Sequence, residues 1–246
     1  MRIEVALLPG QSQKIGRSVC VVVDVLRASS TIVTLLERGA RRVLAAPGID
    51  AARALAARLP DHLLCGEKDG LPPLGFDYGN SPSEFARLDL SGRGVILATS
   101  NGTRVIGALA AAPAVLVGCL LNRTGAAQAA LRWAQARDLD VTVVCSAAYG
   151  GATFVLEDAL GAGAIVEAAL ALAPGLEAGD AARFSCEAFA SVKERIGEVV
   201  ASAYHARELC EAGLGDDVAY CARLDASRVA PRVERGEDGT LACVKG

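Results

Sequence analysis

The chain has 246 residues, of which 52% are hydrophobic and 22% charged, and a net charge of −3. That is the balance of a globular chain with a sizeable core, and its mixed charges, with no Lys/Arg block or basic–aromatic stripe, argue against nucleic-acid binding. No apolar run approaches the ~18 residues of a membrane span and the opening MRIEVALLPG is too short for a signal peptide, so the expectation is a cytoplasmic protein with no membrane partner.

A first strand is predicted over Ile3–Leu8 and a second over Val19–Val25. The second reads VCVVVDV, apolar on both faces as in a sheet covered on both sides. It runs directly into Asp24, Arg27, Ser29, Ser30 and Thr31. A helix over Ser30–Arg38, a strand over Arg42–Ala46 and a helix over Ile49–Arg58 follow. The strand His62–Gly66 leads into Glu67-Lys68-Asp69-Gly70 and then into GFDYGNSPSEF, Gly75–Phe85. In that loop Ser81 reads as an N-cap and Pro82 as a first helical position, so Asn80 and Ser81 become donors at a helix start. Phe76 and Tyr78 are candidate walls excluding water.

Val95–Thr99 ends in Thr99-Ser100-Asn101-Gly102-Thr103 before a helix over Thr103–Ala111. Ala114–Gly118 is followed by Asn122-Arg123-Thr124 and a helix over Thr124–Arg137. Val141–Ser146 ends near Tyr149-Gly150-Gly151. Helices are then predicted over Glu157–Leu172, Asp180–Val192 and Glu194–Glu211, with a break at Pro174-Gly175. A hairpin over Arg228–Val244 turns at Glu237-Asp238-Gly239. The alternation of strands and helices predicts βαβ units and a mostly parallel sheet, with a helical C-terminal third, in one domain spanning residues 1–246.

Eight cysteines occur without a C-x-x-C pair, several inside strand-like runs, and read as buried reduced thiols. With only His62 and His205, a zinc centre or a histidine-based triad is poorly supplied. Chemistry then falls to the polar groups that follow the strands, where open α/β sheets bind ligands. Ser, Thr, Asn and Gly at strand-to-helix turns suit an anion. Arg27 and Arg123 offer forked donors to phosphate or sulfonate oxygens. Asp24, Glu67 and Glu157-Asp158 are hard oxygen ligands of the kind Mg²⁺ takes beside a phosphate. Each also has a local reading: Asp24 and Ser29–Thr31 as caps, Glu67 and Ser100–Thr103 as turns, Glu157-Asp158 as first-turn acids, Arg123 as surface charge. No GxxxxGK[ST], GxGxxG or Asp-x-Asp loop is present.

VVVDVLRASSTI (21–32), GEKDGLPPLGFDYGNSPSEF (66–85), TSNGTRVI (99–106), FVLEDALGAGAIV (154–166) and DDVAYCARLD (216–225) resemble, in order and spacing, the 2-phosphosulfolactate phosphatase family. The resemblance implies a three-layer α/β/α fold with a mostly parallel or mixed central sheet and a terminal β-hairpin. It implies a Mg²⁺-dependent phosphatase that converts 2-phospho-3-sulfolactate into 3-sulfolactate and phosphate, a step towards coenzyme M. On that reading Asp24 binds the metal or attacks phosphorus, Glu67 and Asp158 complete the metal shell, and Arg27 stabilises the transferring phosphoryl group. Ser29, Ser30, Asn80, Ser81, Asn101, Gly102, Thr103 and Arg123 hold the phosphate and the carboxylate or sulfonate end of a small anionic organophosphate. Val155 departs from the family, which often carries a hydroxyl residue there. It is the one feature pointing to the alternative, a non-catalytic anion- or metabolite-binding protein on the same scaffold. The pattern leaves room for a homo-oligomer.

Overall fold

A computed structural model describes residues 1–12 and 15–246. The strands are β1 (Arg2–Ala6), β2 (Ser18–Val23), β3 (Arg42–Ala46), β4 (His62–Gly66), β5 (Gly94–Ala98), β6 (Ala114–Gly118), β7 (Asp140–Cys145), β8 (Glu177–Ala178), β9 (Pro231–Arg235) and β10 (Leu241–Lys245). The helices are α1 (Ala28–Glu37), α2 (Ile49–Arg58), α3 (Pro82–Phe85), α4 (Gly102–Ala108), α5 (Arg123–Gln135), α6 (Leu156–Leu172), α7 (Asp180–Val192), α8 (Ile196–Ser202), α9 (Tyr204–Glu211) and α10 (Gly215–Cys221).

All ten strands join one sheet in the order β4-β5-β3-β10-β9-β6-β2-β7-β1-β8. Its two ends are parallel: β3, β5 and β4 pair in parallel, and so do β6, β2, β7, β1 and β8. The C-terminal hairpin is not a flap at the edge. It is inserted between these halves, with β10 antiparallel to β3 and β9 antiparallel to β6. Three successive antiparallel pairings make the two parallel halves run in opposite senses. The sheet is therefore mixed, and the strand ends that carry the polar clusters belong to two opposed halves.

Period-2 alternation sorts the strands between cores. Val19, Val21 and Val23 of β2 face a cluster built from α5, α6 and α7, while Cys20 and Val22 face one built from α1 and α4. In the other half Val43 and Ala45 of β3 join the α1/α4 cluster, and Leu44 and Ala46 pack on the α2 side. Helices thus cover both faces of the sheet, giving three layers. The α1 helix spans the join, packing against β6, β3 and the hairpin, and α4 packs against both β3 and β2.

The helix α6 is buried on nearly all sides, and glycine permits that. A Cβ on Gly163 would run into the Ser185 carbonyl of α7, and one on Gly161 would lie 2.6 Å from Val25. The predicted helix over Glu194–Glu211 is broken, because Ala203 is extended (φ −62, ψ 152) between α8 and α9. No Gly or Pro marks that break, so the sequence carried no signal for it. The strand β8 and the helix α10 were also not foreseen. The eight cysteines are unpaired. Among the described residues no helix is long and apolar enough to cross a membrane.

Candidate active site

The turn from β2 into α1 is locked by its own polar groups. Asp24 Oδ1 accepts from the Ala28 amide at 3.1 Å, and the Asp24 amide donates to Ser29 Oγ at 3.0 Å. Ser29 Oγ in turn donates to the Val22 carbonyl, and Ser30 Oγ to the Val25 carbonyl at 2.8 Å. Both serines are buried. Their hydroxyls hold the turn that carries Asp24 and Arg27, the local role a capping residue plays. Close against it lies the start of α4, where a Cβ on Gly102 would sit 2.6 Å from Asp24 Oδ2 and from Ala28 Cβ.

On one side of this turn acids collect. Asp24, Glu157 and Asp158 are almost wholly buried, the last two in the first turn of α6. Burial raises the pKa of each carboxyl. Mutual repulsion adds to it: Asp24 pushes Glu157 up, Asp24 and Glu157 push Asp158 up, and Glu67 pushes Asp24 up. The Ala28 amide opposes the rise at Asp24, and the charge of His205 opposes it at Asp24 and Glu157. His205 lies on α9, half-exposed and paired with Glu208 at 3.3 Å. Sequence reasoning set the histidines aside; the fold brings this one within electrostatic reach of the cluster.

Two of the acids fasten loops together. Asp158 accepts from the Val25 amide at 2.9 Å through Oδ1, and from Ser146 Oγ and the Ala147 amide through Oδ2. It ties the end of β2 to the end of β7. Glu67 accepts from the Ser100 amide at 2.7 Å, the Gly70 amide and Ser100 Oγ, tying the end of β4 to that of β5. Asn101 Oδ1 accepts from the Gly150 amide at 3.2 Å, joining the two halves of the sheet. The site is thus a junction of loops from opposed halves rather than one rim of a parallel sheet.

On the other side of the turn lies Arg27, 4% exposed. Its Nη1 donates to Asp217 Oδ2 at 2.8 Å and its Nη2 to the Gly70 carbonyl at 2.9 Å. Asp217, in the first turn of α10, uses its other oxygen to accept from Ser81 Oγ (2.7 Å), Ser83 Oγ (2.6 Å) and the Ser83 amide (3.1 Å). The loop Gly75–Phe85 is thereby drawn to Arg27. Ser81 caps α3 by accepting from the Glu84 amide, and Pro82 occupies its first turn. Asn80 is buried, its backbone carbonyl accepting from Thr31 Oγ1, and its side-chain oxygen has no hydrogen-bond partner. Tyr78 packs on Phe85, and Phe76 lies under Arg53 in the cluster on the α2 side, so neither ring is placed as a wall of the site.

The predicted residues therefore divide. Asp24, Arg27, Asn80, Ser81, Asn101 and Gly102 gather about the β2–α1 turn, with Glu67 and Asp158 around them as fasteners. Thr103 is committed locally, exchanging hydrogen bonds with Thr99 through its amide and hydroxyl. Arg123 is committed elsewhere: it binds Glu167 at 2.6 Å and Asp225 at 2.9 Å and lies over Phe189. None of those partners is a site residue. An open cavity of about 450 Å³ lined by Thr124, Gly125, Gln128, Asp225, Ser227 and Arg228 adjoins it, likewise apart from the acids. Val155, the N-cap of α6, makes no side-chain cap hydrogen bond.

Among the described residues no three His, Cys, Asp or Glu side chains are arranged as a preformed metal site. The expected shell of Asp24, Glu67 and Asp158 is not assembled as such, because the oxygens of Glu67 and Asp158 are already bound by amides and hydroxyls. Asp24 and Glu157 are the better-suited pair. Mg²⁺ commonly takes one or two carboxylates and fills its octahedron with phosphate and water, and a cation would relieve the repulsion that raises both pKa values. Residues missed by the sequence reading are Asp217 and His205, while Ser146, which closes the cluster after β7, binds Asp158. For Asp217 a signal existed, in the DDVAYCARLD segment, but not one that named its partner.

A family profile described as 2-phosphosulpholactate phosphatase matches residues 6–236. The chain is 38% identical to a "Probable 2-phosphosulfolactate phosphatase" of Deinococcus radiodurans, over 97% of this chain and 95% of the relative. It is 38% identical to a protein of the same description from Pseudothermotoga lettingae, over 93% and 94%. A third, from Clostridium acetobutylicum, is 31% identical over 92% and 94%.

Proposed function

The chain belongs to the 2-phosphosulfolactate phosphatase family, and on that premise we propose that it hydrolyses 2-phospho-3-sulfolactate to 3-sulfolactate and phosphate, as a step of the coenzyme M type. The observation that carries this reading is the pairing, across one four-residue turn, of a buried acid cluster with a buried arginine. A phosphate monoester needs both. Its charge must be met by fixed donors, and hard oxygen ligands must face the point where phosphorus and the metal sit.

Asp24 and Glu157 are the residues that would hold Mg²⁺. When bound, the ion supplies charge neutralisation of the phosphoryl oxygens and a water of lowered pKa. Arg27 meets the phosphoryl oxygens with the N–H donors not taken by Asp217 and Gly70. Its work is electrostatic and is done in advance, since the guanidinium is already held. Buried Asn80, next to Ser81, is the side chain assigned to a second anionic group of the substrate, through its NH₂. Asp158 and Glu67 keep the loops in register. In the overall reaction a water oxygen bonds to phosphorus, the ester P–O bond breaks, and the leaving alkoxide takes up a proton.

The test is phosphate release from 2-phosphosulfolactate by the wild type and by Asp24→Asn, each with Mg²⁺ and with EDTA. The expected result is release that needs both Mg²⁺ and Asp24. Undiminished release with EDTA or in the variant sinks the mechanism, and ligand binding without any release sinks the enzyme reading.

A further inference from the structure

The carboxylate of Asp217 is engaged on every side. One oxygen takes Arg27 Nη1, and the other takes both serine hydroxyls and the Ser83 amide of the 75–85 loop. At 1% exposure, with four donors from the protein already on it, it presents no open face to a substrate or a metal. Whatever Asp217 does for the reaction, it does through Arg27.

What it does there follows from geometry. An arginine side chain has many rotamers, and its fork is useful only when the plane of the guanidinium is set. Two separate anchors set it here. Nη1 is held by Asp217 from α10, 190 residues further along the chain, and Nη2 by the Gly70 carbonyl from the loop after β4. Two fixed nitrogens define the plane and the direction of the remaining N–H bonds. The Gly70 carbonyl is neutral, so of the two described partners of Arg27 only Asp217 supplies countercharge to a guanidinium that is itself buried. Ser81 and Ser83 complete the arrangement, holding Asp217 from the side opposite Arg27.

We propose that Asp217 is the positioning residue of Arg27: its carboxylate, clamped by Ser81 and Ser83, orients the guanidinium toward the phosphoryl group and supplies the countercharge that keeps it in place. This rests on the reading that Arg27 meets phosphate. A group whose only role is to stabilise the fold would act independently of Arg27, whereas a positioning group has nothing to position once Arg27 is gone.

The experiment is a double-mutant cycle with Arg27→Ala and Asp217→Asn, read by calorimetric affinity for inorganic phosphate in Mg²⁺ and by kcat/KM on 2-phosphosulfolactate, with thermal melts to establish folding. Asp217→Asn should weaken phosphate binding and kcat/KM by about tenfold to a hundredfold in the wild-type background. In the Arg27→Ala background it should change either by less than about threefold, the non-additivity expected of residues in contact. Ser81→Ala/Ser83→Ala, which leaves both charges in place, should give a smaller loss that Arg27→Ala also abolishes, and it carries the cycle if Asp217→Asn does not fold. Equal losses in both backgrounds, or unchanged phosphate affinity in folded Asp217→Asn, overturn the proposal. A wild type that binds phosphate with this coupling but releases none from the ester overturns the phosphatase reading alone.

Discussion

Asp24 and Arg27 are three residues apart and equally buried, yet their surroundings are opposites. Around Arg27 every charge has been answered: Asp217 meets it at 2.8 Å, and two serines and an amide answer Asp217. Around Asp24 like charges face one another, and its pKa and those of Glu157 and Asp158 are raised by burial and repulsion together. A buried pair with satisfied partners is compatible with scaffold. Buried acids that repel one another destabilise the fold unless a cation meets them, and such frustration marks a ligand site.

The largest effect should come from breaking the frustrated side. Asp24→Asn should cut phosphate release by about 10³-fold, about 4 kcal/mol of transition-state stabilisation, while the melting temperature rises because one repelling charge has been removed. Steady-state kinetics and a melt on the same preparation check both signs; a variant that loses activity and stability together would place Asp24 with the scaffold instead.

Gly102→Ala approaches the same point from outside. Its Cβ would meet Asp24 Oδ2 and the Ala28 Cβ, so Asp24 must shift. Turnover should fall about tenfold or more with a stability loss of about 1–3 kcal/mol, measured by kinetics and urea unfolding.

A smaller effect separates the cluster from the rest of the chain by its pH dependence. A carboxyl whose pKa is raised on folding holds its proton to higher pH in the folded than in the unfolded chain. Its destabilising contribution is absent below the ordinary carboxylate range, grows as pH climbs from there towards the raised value, and levels off above it. Glu157→Gln cannot ionise, so it should be more stable than the wild type at pH 8, with the difference closing as pH falls into the ordinary carboxylate range. Denaturant midpoints at a series of pH values would show it. A difference that does not change with pH would mean that Glu157 carries no such penalty.

The smallest effect on chemistry is expected at Arg123, whose ion pairs with Glu167 and Asp225 are structural. Arg123→Ala should cost about 1 kcal/mol of stability and leave turnover within about threefold. A large rise in KM would return it to the substrate site.

Much of this molecule was legible in its sequence because period and composition report local environment. VCVVVDV could only be a strand covered on both faces, and Ser81-Pro82 could only open a helix economically. The residues after the strands were recognisable as site candidates because polar groups following apolar runs have no core to join. What stayed hidden depended on partners far away. Ser29 and Ser30 looked like ligand donors and instead brace the turn through backbone carbonyls of their own segment. Arg123 looked like an anion-binding fork until Glu167 and Asp225 met it. The Glu194–Glu211 segment looked like one helix, since nothing in it disfavours helix at Ala203.

The sequence by itself determined most strands, most helices and the unpaired cysteines, and it pointed to the stretch Asp24–Arg27 as the candidate chemical centre, because each rests on neighbours within a few residues. Only the tertiary structure decided that the C-terminal hairpin enters the middle of the sheet and reverses one half against the other. It alone set Asp217 against Arg27 and Glu157 against Asp24. Those pairings join residues more than 100 positions apart, and a charge carries no record in the sequence of which distant charge the folded chain will bring to it.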